Sequence, residues 1–302
     1  MRHTIFTPVY NRAKNMFGLA EHINNINYSK NEFEWIVVND GSTDNLLDEM
    51  QRIREAFPEI NLKVISKPNG GIHTAQNCAV RNAEGKYITR IDSDDYLLPD
   101  SLINKDEALL SVSADDNDKI AGCVGICLNA KDRTIRGTKF PKDVQVSKGY
   151  LLRRLGVSGD RNFCIKRKIM QHYLLPEFDD TKWVPEGGYL WLEIDKQFDT
   201  LFINVPMAVC TEPNDQSYLG GLKAKNLSNI MSVYYHSLYV LNSGKRYYSI
   251  YIICKSFYKL CESVIDASSF NVLKYNLKRL LKDTDSILDK FILFILYPLV
   301  LL

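Results

Sequence analysis

The sequence predicts an α/β fold, a mostly parallel sheet flanked by helices with a helical C-terminal appendage. Through Leu110, short β-branched and aromatic runs alternate with stretches of helical apolar spacing, the rhythm of a parallel sheet covered on both faces. Near Asn129 that rhythm breaks into short strands and turns. From Lys223 onward the chain reads as helical and rich in Tyr.

The elements follow in order. His3–Thr7 is a short buried strand, and Ala13, Met16, Phe17, Ala20 and Ile23 then recur at helical spacing. Phe33–Asn39 (FEWIVVN) is a second strand, and Asp44 is placed to cap a helix carrying Leu46, Leu47, Met50 and Ile53. Leu62–Ser66 is a third strand. The Gly70–Gly71 turn opens a helix with Ala75, Ala79 and Ala83. Tyr87–Ile91 is a fourth strand and runs into Asp92-Ser93-Asp94-Asp95. A helix with Leu102, Leu109 and Leu110 follows Pro99, and Ile120–Leu128 is a fifth strand. Beyond it, Asn162–Ile165, Leu201–Asn204 and Met207–Thr211 read as strands and Tyr189–Phe198 as a helix, a mixed sheet closing one side of the site. The expected division is a domain over 1–221, in halves 1–112 and 113–221, and a helical region over 222–302.

Composition bounds the function. Of 302 residues, 45% are hydrophobic and 25% charged, which supports a real core and excludes a disordered chain. The net charge of +2 implies no global attraction to nucleic acid, and no nucleic-acid partner is expected. Between Leu222 and Lys282, however, ten Lys or Arg stand against two acids, Glu262 and Asp266, which points to a local anionic partner. The seven Cys are scattered and odd in number, and Cys123 and Cys127 lack zinc-type spacing. Reduced thiols and a cytoplasmic location are expected, as is the absence of a signal segment before the strand at His3. The apolar run Ile287–Leu302 is interrupted by Lys290 and Pro298, and its uncharged part, Phe291–Leu302, is too short to span a bilayer. It suits a buried helix, a homo-oligomer surface or, with the basic stretch before it, a peripheral contact at the inner face of the plasma membrane.

Chemistry concentrates at strand ends. Asp92, Asp94 and Asp95 place three carboxylates within four residues, and they repel one another unless a cation or hydrogen-bond donors neutralise them. Such a group is either a solvated helix cap before Pro99 or a set of hard oxygen ligands for Mg²⁺ or Mn²⁺ beside a diphosphate. The other strand ends favour the second reading. Thr7-Pro8-Val9-Tyr10-Asn11-Arg12 follows the first strand and Asn39-Asp40-Gly41-Ser42-Thr43-Asp44 the second. Ligands bind outside the carboxyl ends of strands in open α/β sheets. The Asn-Asp-Gly-Ser run is in part a tight turn and N-cap, but an Asp40 carboxylate can also accept a base N–H. Lys67-Pro68-Asn69-Gly70-Gly71 supplies a cation and a flexible loop opposite the acids.

TPVYNR, VVNDGSTD, PNGGIHTAQN and IDSDD, in this order and spacing over Met1–Leu110, resemble the inverting family-2 glycosyltransferases with the GT-A fold, of the bacterial polysaccharide type. The resemblance implies a nucleotide-diphosphate sugar donor, usually UDP-linked, a divalent cation (Mn²⁺ or Mg²⁺), and a glycan or lipid-linked glycan acceptor. By it, Thr7, Pro8 and Asp40 hold the base with Lys67 nearby, Asp92 lies near the ribose, and Asp94 binds the metal. Tyr10, Arg12, Gly71, His73, Asn77 and Ser93 complete the donor site, His73 being equally readable as a surface helix residue. Where the family often carries Ala-Arg-Asn this chain reads Ala75-Gln76-Asn77, so an Arg contact is missing at Gln76.

An inverting transferase needs a carboxylate to take the acceptor proton. Glu186, in Val184-Pro185-Glu186-Gly187-Gly188-Tyr189-Leu190-Trp191, is the candidate base, with Asp179 and Asp180 as alternatives. The family's Glu-Asp pair is interrupted here, because Gly187 stands where the Asp is expected. A plain reading of Glu186 is a helix-start charge favoured by the macrodipole. Trp191, Phe198, Phe202 and Trp183 read as core rather than sugar-stacking groups. Two other functions compete. A nucleotidyltransferase is disfavoured because Thr7–Arg12 has no Gly to wrap a triphosphate, and a non-catalytic sugar-nucleotide-binding protein is kept open by Gly187.

Overall fold

The computed structural model describes residues 1–113, 118–211 and 227–244 and scattered positions between 256 and 293. The chain forms two compact units, Met1–Leu174 with Ile194–Glu212, and Leu175–Glu193 with Pro213–Leu302.

In the first unit the elements are β1 (His3–Val9), α1 (Ala13–Asn24), β2 (Phe33–Asn39), α2 (Leu46–Ala56), β3 (Leu62–Ser66), α3 (Ile72–Asn82), β4 (Tyr87–Arg90) and β5 (Tyr96–Leu97). They continue with α4 (Ser101–Leu110), β6 (Ile120–Asn129), β7 (Val144–Ser147), α5 (Gly149–Arg154), β8 (Arg161–Lys166), α6 (Arg167–His172) and, after the excursion into the second unit, β9 (Asp199–Cys210). One sheet joins the strands in the order β3-β2-β1-β4-β8-β6-β9-β5, with β7 on β9. Its first half, β3 to β4, is parallel throughout. In the second half β8 is antiparallel to both neighbours, whereas β6 and β9 run parallel.

Both faces of β1 and β2 are covered, since every residue of the two strands is buried. Ile5, Val9, Phe33, Trp35 and Val37 join Met16, Leu19 and Ile23 of α1 and Leu46, Met50 and Ile53 of α2 in one apolar cluster. The alternate residues Phe6, Ile36 and Val38 are buried outside that cluster, and α3 packs on β1 and β2. This double burial is why FEWIVVN is a nearly continuous apolar run. Its one charge, Glu34, is only 2% exposed. It accepts hydrogen bonds from the Thr4 hydroxyl and the Glu84 N–H, both at 2.6 Å.

Some expectations change. Leu47 and Leu110 are exposed, so they lie off the apolar faces of α2 and α4. The two strands expected over 201–204 and 207–211 are one strand, β9. Its register against β6 shifts between Gly125 and Cys127, opposite Ile203 to Ala208. Pro206 brings no N–H to the ladder and the strand bulges around it instead of ending. A Cβ at Gly125 would lie 2.8 Å from the Val205 carbonyl oxygen, so glycine is required for the bulge to close.

In the second unit the helix expected from Tyr189 starts earlier. It opens as a π-helical turn, Gly187–Leu192, and continues as α7 (Glu193–Gln197), which returns the chain to the first unit. Helix α8 (Leu227–Tyr239) carries Tyr234, Tyr235 and Tyr239. The free thiols among the described residues are Cys78, Cys123, Cys127, Cys164 and Cys210. Among those residues no helix is long and apolar enough to cross a membrane. The basic stretch 222–282 and the apolar run 287–302 lie largely outside the described residues, as do the membrane and self-association expectations attached to them.

Candidate functional site

Parallel pairing brings four chain segments to one edge. Val9 pairs with Asn39, Asn39 with Ser66, and Phe6 with Arg90. The residues that follow β1, β2, β3 and β4 therefore emerge side by side at the carboxyl edge of the sheet, where open α/β sheets take ligands.

The first two segments brace each other. Asn11 adopts a left-handed backbone, φ +53°, which Asn tolerates better than most residues. Its N–H donates to the Ser42 hydroxyl (3.0 Å), and its side-chain oxygen accepts the Thr43 N–H (2.7 Å). Ser42 N–H in turn reaches the Asn39 side chain at 2.8 Å. Asp44 was expected to cap the helix that follows it. Instead it accepts the Ala13 N–H at 2.9 Å and caps α1 across the loops, while α2 starts from Asn45 without a side-chain cap. Thr7 and Pro8 are buried, and the Thr7 hydroxyl accepts the Trp35 indole N–H at 3.0 Å. Tyr10 is 48% exposed.

The third segment is organised by Asp40, which is 3% exposed. Its Oδ1 accepts from Lys67 Nζ (2.6 Å) and Gly70 N–H (3.0 Å), and its Oδ2 from Gly71 N–H (2.7 Å) and Asn69 Nδ2 (3.3 Å). Lys67 also donates to the Pro68 carbonyl and to the Thr74 hydroxyl. The expected cation opposite the acids is thus an ion pair with Asp40 that shapes the 67–71 loop. Gly71 enters α3 at φ +97°, ψ 165°, a region open to glycine alone. His73 and Asn77 are each 1% exposed on α3, so His73 is not a surface residue.

The fourth segment holds the acids, and β5 anchors its far end by pairing with β9. Asp95 ties the segment to the end of β9 by accepting the Thr211 N–H at 2.9 Å. Burial, then the Asp92 charge, pushes the Asp95 carboxyl up to about 7. Burial and Asp92 also raise Asp94, against the opposing pull of Arg12 and Arg90. Asp92 is gripped by Arg90, whose Nε reaches Oδ1 at 2.6 Å and whose Nη2 reaches Oδ2 at 3.1 Å. Arg90 and Thr211 were not anticipated, although an Arg inside the buried strand YITRI was a visible anomaly. Among the described residues, no three or more His, Cys, Asp or Glu side chains converge into a metal cage.

In the second unit, Glu186 immediately precedes the π-helical turn, a distortion that recurs at functional sites. A Cβ added at Gly187 would meet nothing within 4 Å, so the missing Asp reflects no steric need for glycine. The Phe178 ring stacks on Tyr235 at 3.7 Å, and Tyr235 donates to Asp180 at 2.9 Å. Asp179 is exposed, and Trp183 and Trp191 are half-buried rather than core. In the first unit Phe198 is half-buried and Phe202 buried.

A profile described as "Glycosyl transferase family 2" matches residues 4–167, more than half of the chain, including all four strand-end segments. The chain belongs to glycosyl transferase family 2. Among curated family relatives, chondroitin synthase of Pasteurella multocida is 39% identical over 99 residues, 33% of this chain and 10% of that protein. Poly(ribitol-phosphate) beta-N-acetylglucosaminyltransferase TarS of Staphylococcus aureus is 34% identical over 104 residues, 34% of this chain and 18% of that one. The chain therefore spans well under two thirds of the length of these family members. A crystal structure of S. aureus TarS residues 1–349 superposes with a TM-score of 0.60 at 18% identity, covering 99% of this chain and 86% of that one. A mannosyltransferase from Pyrobaculum calidifontis, in complex with GDP-Man and Mn²⁺, superposes with a TM-score of 0.53 at 17% identity over all of this chain and 81% of that one. These likenesses establish the GT-A type of fold for this family 2 chain.

Proposed function

We propose that the chain transfers a sugar from a nucleotide-diphosphate donor, UDP-linked by preference, to a hydroxyl of a glycan or lipid-linked glycan, with inversion and with a divalent cation. The setting proposed is bacterial surface-polysaccharide biosynthesis. One observation carries the reading. In a member of family 2, the segments after four parallel strands meet at one sheet edge, with Asp40, Gly71, Asp92 and Asp94 among them and Arg90 at the end of β4. The relatives' names lend further support, since they are synthases and transferases of bacterial glycans and glycopolymers, and TarS has been crystallised with UDP-GlcNAc.

In this reading the nucleoside lies over the β1 and β2 ends, against Thr7, Pro8 and the exposed Tyr10 ring. The loop held by Asp40 and Lys67 forms its wall, and Gly71, His73 and Asn77 continue that wall along α3. Asp40 has donors on both oxygens already, so any base contact replaces one of them. Asp92 and Ser93 face the ribose, and Arg12 serves the diphosphate. The acids suit Mn²⁺ or Mg²⁺, because such cations are held by one or two carboxylates together with substrate phosphates rather than by a protein cage. Asp94 would be the ligand, and the bound cation would neutralise charge on the leaving diphosphate. Glu186 is the proposed base. Its carboxylate takes the proton of the acceptor hydroxyl as that oxygen attacks the anomeric carbon and the bond to the diphosphate breaks.

A screen of UDP- and GDP-sugars, with acceptor, reads nucleoside diphosphate release in Mn²⁺ and in EDTA. Metal-dependent release is expected, with a loss of about a hundredfold or more in Glu186→Gln and a comparable loss in Asp94→Ala. Pyrophosphate release would make the chain a nucleotidyltransferase. Donor binding without turnover over a broad acceptor panel would make it a binding protein. Full activity in either variant removes that residue from the mechanism.

A further inference from the structure

We propose that Arg90 is a positioning residue for nucleotide binding, a guanidinium that locks Asp92 from beneath and supplies from β4 the cation that Gln76 does not supply from α3. The inference rests on the reading of this sheet edge as the nucleotide site.

The geometry is that of a fixed fork. Nε and Nη2 of Arg90 donate to the two oxygens of Asp92 at 2.6 and 3.1 Å, and Nη1 donates to Gln76 Oε1 at 3.2 Å. Paired donors of this kind set the plane of a carboxylate as well as neutralising it. The Arg90 side chain is 15% exposed and that of Asp92 41%, so the cation sits below and the acid faces outward. A carboxylate has about four lone-pair sites, and Arg90 occupies one on each oxygen. The outward pair stays available for vicinal hydroxyls such as those of a ribose. Without the fork, Asp92 would turn about its side-chain bonds next to Asp94 and Asp95, which repel it.

Arg90 is itself well held. Gln76 is 2% exposed, so its carbonyl fixes the roll of the guanidinium. The Arg90 carbonyl accepts Asn162 Nδ2 at 3.1 Å, and Asn162 Oδ1 accepts the fully buried Lys105 ammonium at 2.6 Å. A Lys at position 90 keeps the charge but loses the fork. Exchanging the two side chains, Gln76→Arg with Arg90→Gln, keeps their total volume and restores one guanidinium to a pair whose ends already meet at 3.2 Å.

The experiment is calorimetric titration of UDP and of GDP, in Mn²⁺, into the full chain and into R90Q, R90K and the Q76R/R90Q exchange, with thermal midpoints in parallel. R90Q is expected to weaken nucleotide binding about tenfold or more, as loss of a charge-assisted pair implies. R90K should recover little, and the exchange should return to within about threefold of the wild type. A merely structural Arg90 would move the midpoint and not the affinity of the folded fraction. Wild-type affinity in R90Q overturns the proposal, as does an exchange variant that folds but binds no better than R90Q. If R90Q does not fold, R90K and the exchange decide on the same terms. If the wild type binds neither nucleotide, the reading of the site fails first and the proposal with it.

Discussion

Replacing Asp40 by Asn tests the organisation of the whole sheet edge. The two side chains are nearly isosteric, so no cavity opens and only the donor–acceptor pattern changes. Asn offers one oxygen where Asp offers two. If that oxygen keeps Lys67 and Gly70, the new NH₂ group faces the Gly71 N–H, which the wild type satisfies at 2.7 Å. If the amide turns over, NH₂ faces the Lys67 ammonium, which is worse. The first arrangement is therefore expected. Lys67 retains the Pro68 carbonyl and the Thr74 hydroxyl, so losing the carboxylate charge costs it about 1 kcal/mol. Gly70 keeps its bond to the remaining oxygen, whereas the Gly71 N–H is buried, and orphaning it costs about 1–3 kcal/mol. The sum is about 2–4 kcal/mol, at the lower edge of the about 3–5 kcal/mol for breaking a fully buried ion pair, because Lys67 is 21% exposed. Urea denaturation gives the stability change, and hydrogen exchange over 67–75 localises it. The expected result is loss of protection at Gly71 with a matching drop in the urea midpoint, and weaker nucleotide binding. A cost below about 0.5 kcal/mol with Gly71 protection unchanged would refute the assignment of Asp40 as the anchor of this loop.

Other perturbations separate scaffold from site. Gly71→Ala places a Cβ on a backbone at φ +97° and should cost about 1–3 kcal/mol, read as a lowered thermal midpoint together with weakened UDP binding. Asp106→Asn addresses acid stability at the opposite end of β1. Burial opposes the Asp106 carboxylate, but hydrogen bonds from His3, Arg2 and Tyr28 outweigh it and hold its pKa at about 2. A depressed carboxylate stabilises the fold fully above its unfolded value near 4 and loses that contribution as pH falls toward 2, here about 2 kcal/mol. Its partner His3 is opposed by burial but raised overall by Asp106 and Cys164. That share is present below about pH 6.5 and is lost as pH rises through the raised value. The stability gap between wild type and variant, measured by denaturant titration, should be widest near pH 5–6 and close near pH 2; a gap independent of pH would sink this account.

Much of the fold through Leu110 was legible because its signals are local. FEWIVVN reads as a strand from its short run of β-branched and aromatic residues, and Gly70-Gly71 before an Ala-rich run marks a helix start. The illegible parts depend on contacts distant in sequence. Asp44 looked like a cap for its own helix because nothing near it announces that Ala13 lies closer in space. Lys67 looked available to the acids, because only the fold shows Asp40 beneath it. Strand β5 has two residues and no periodicity to read, and it exists because β9 offers an edge. Leu201–Asn204 and Met207–Thr211 read as two strands, since a bulge opposite Gly125 is a property of the pair rather than of either segment.

This separates two roles within the motif residues. Asn11, Asn39, Ser42, Thr43 and Asp44 bind one another, and Asp40 and Lys67 bind the 67–71 loop. These bonds make a rigid rim, which is what a preorganised site requires of the residues that support it. Tyr10 keeps an exposed ring, and Asp92 and Asp94 are half-buried in the segment after β4. Burial and Asp92 raise the Asp94 pKa, and Arg12 lies near enough to oppose that rise. Substitutions on the rim should therefore lower stability and nucleotide affinity together, whereas substitutions at Asp92 or Asp94 should lower binding or turnover while leaving the fold intact. Removing a carboxylate from a repelling cluster can even stabilise the apo protein. The same logic places Arg90 between the classes, since it braces Gln76 from within and governs how Asp92 meets a ligand from without.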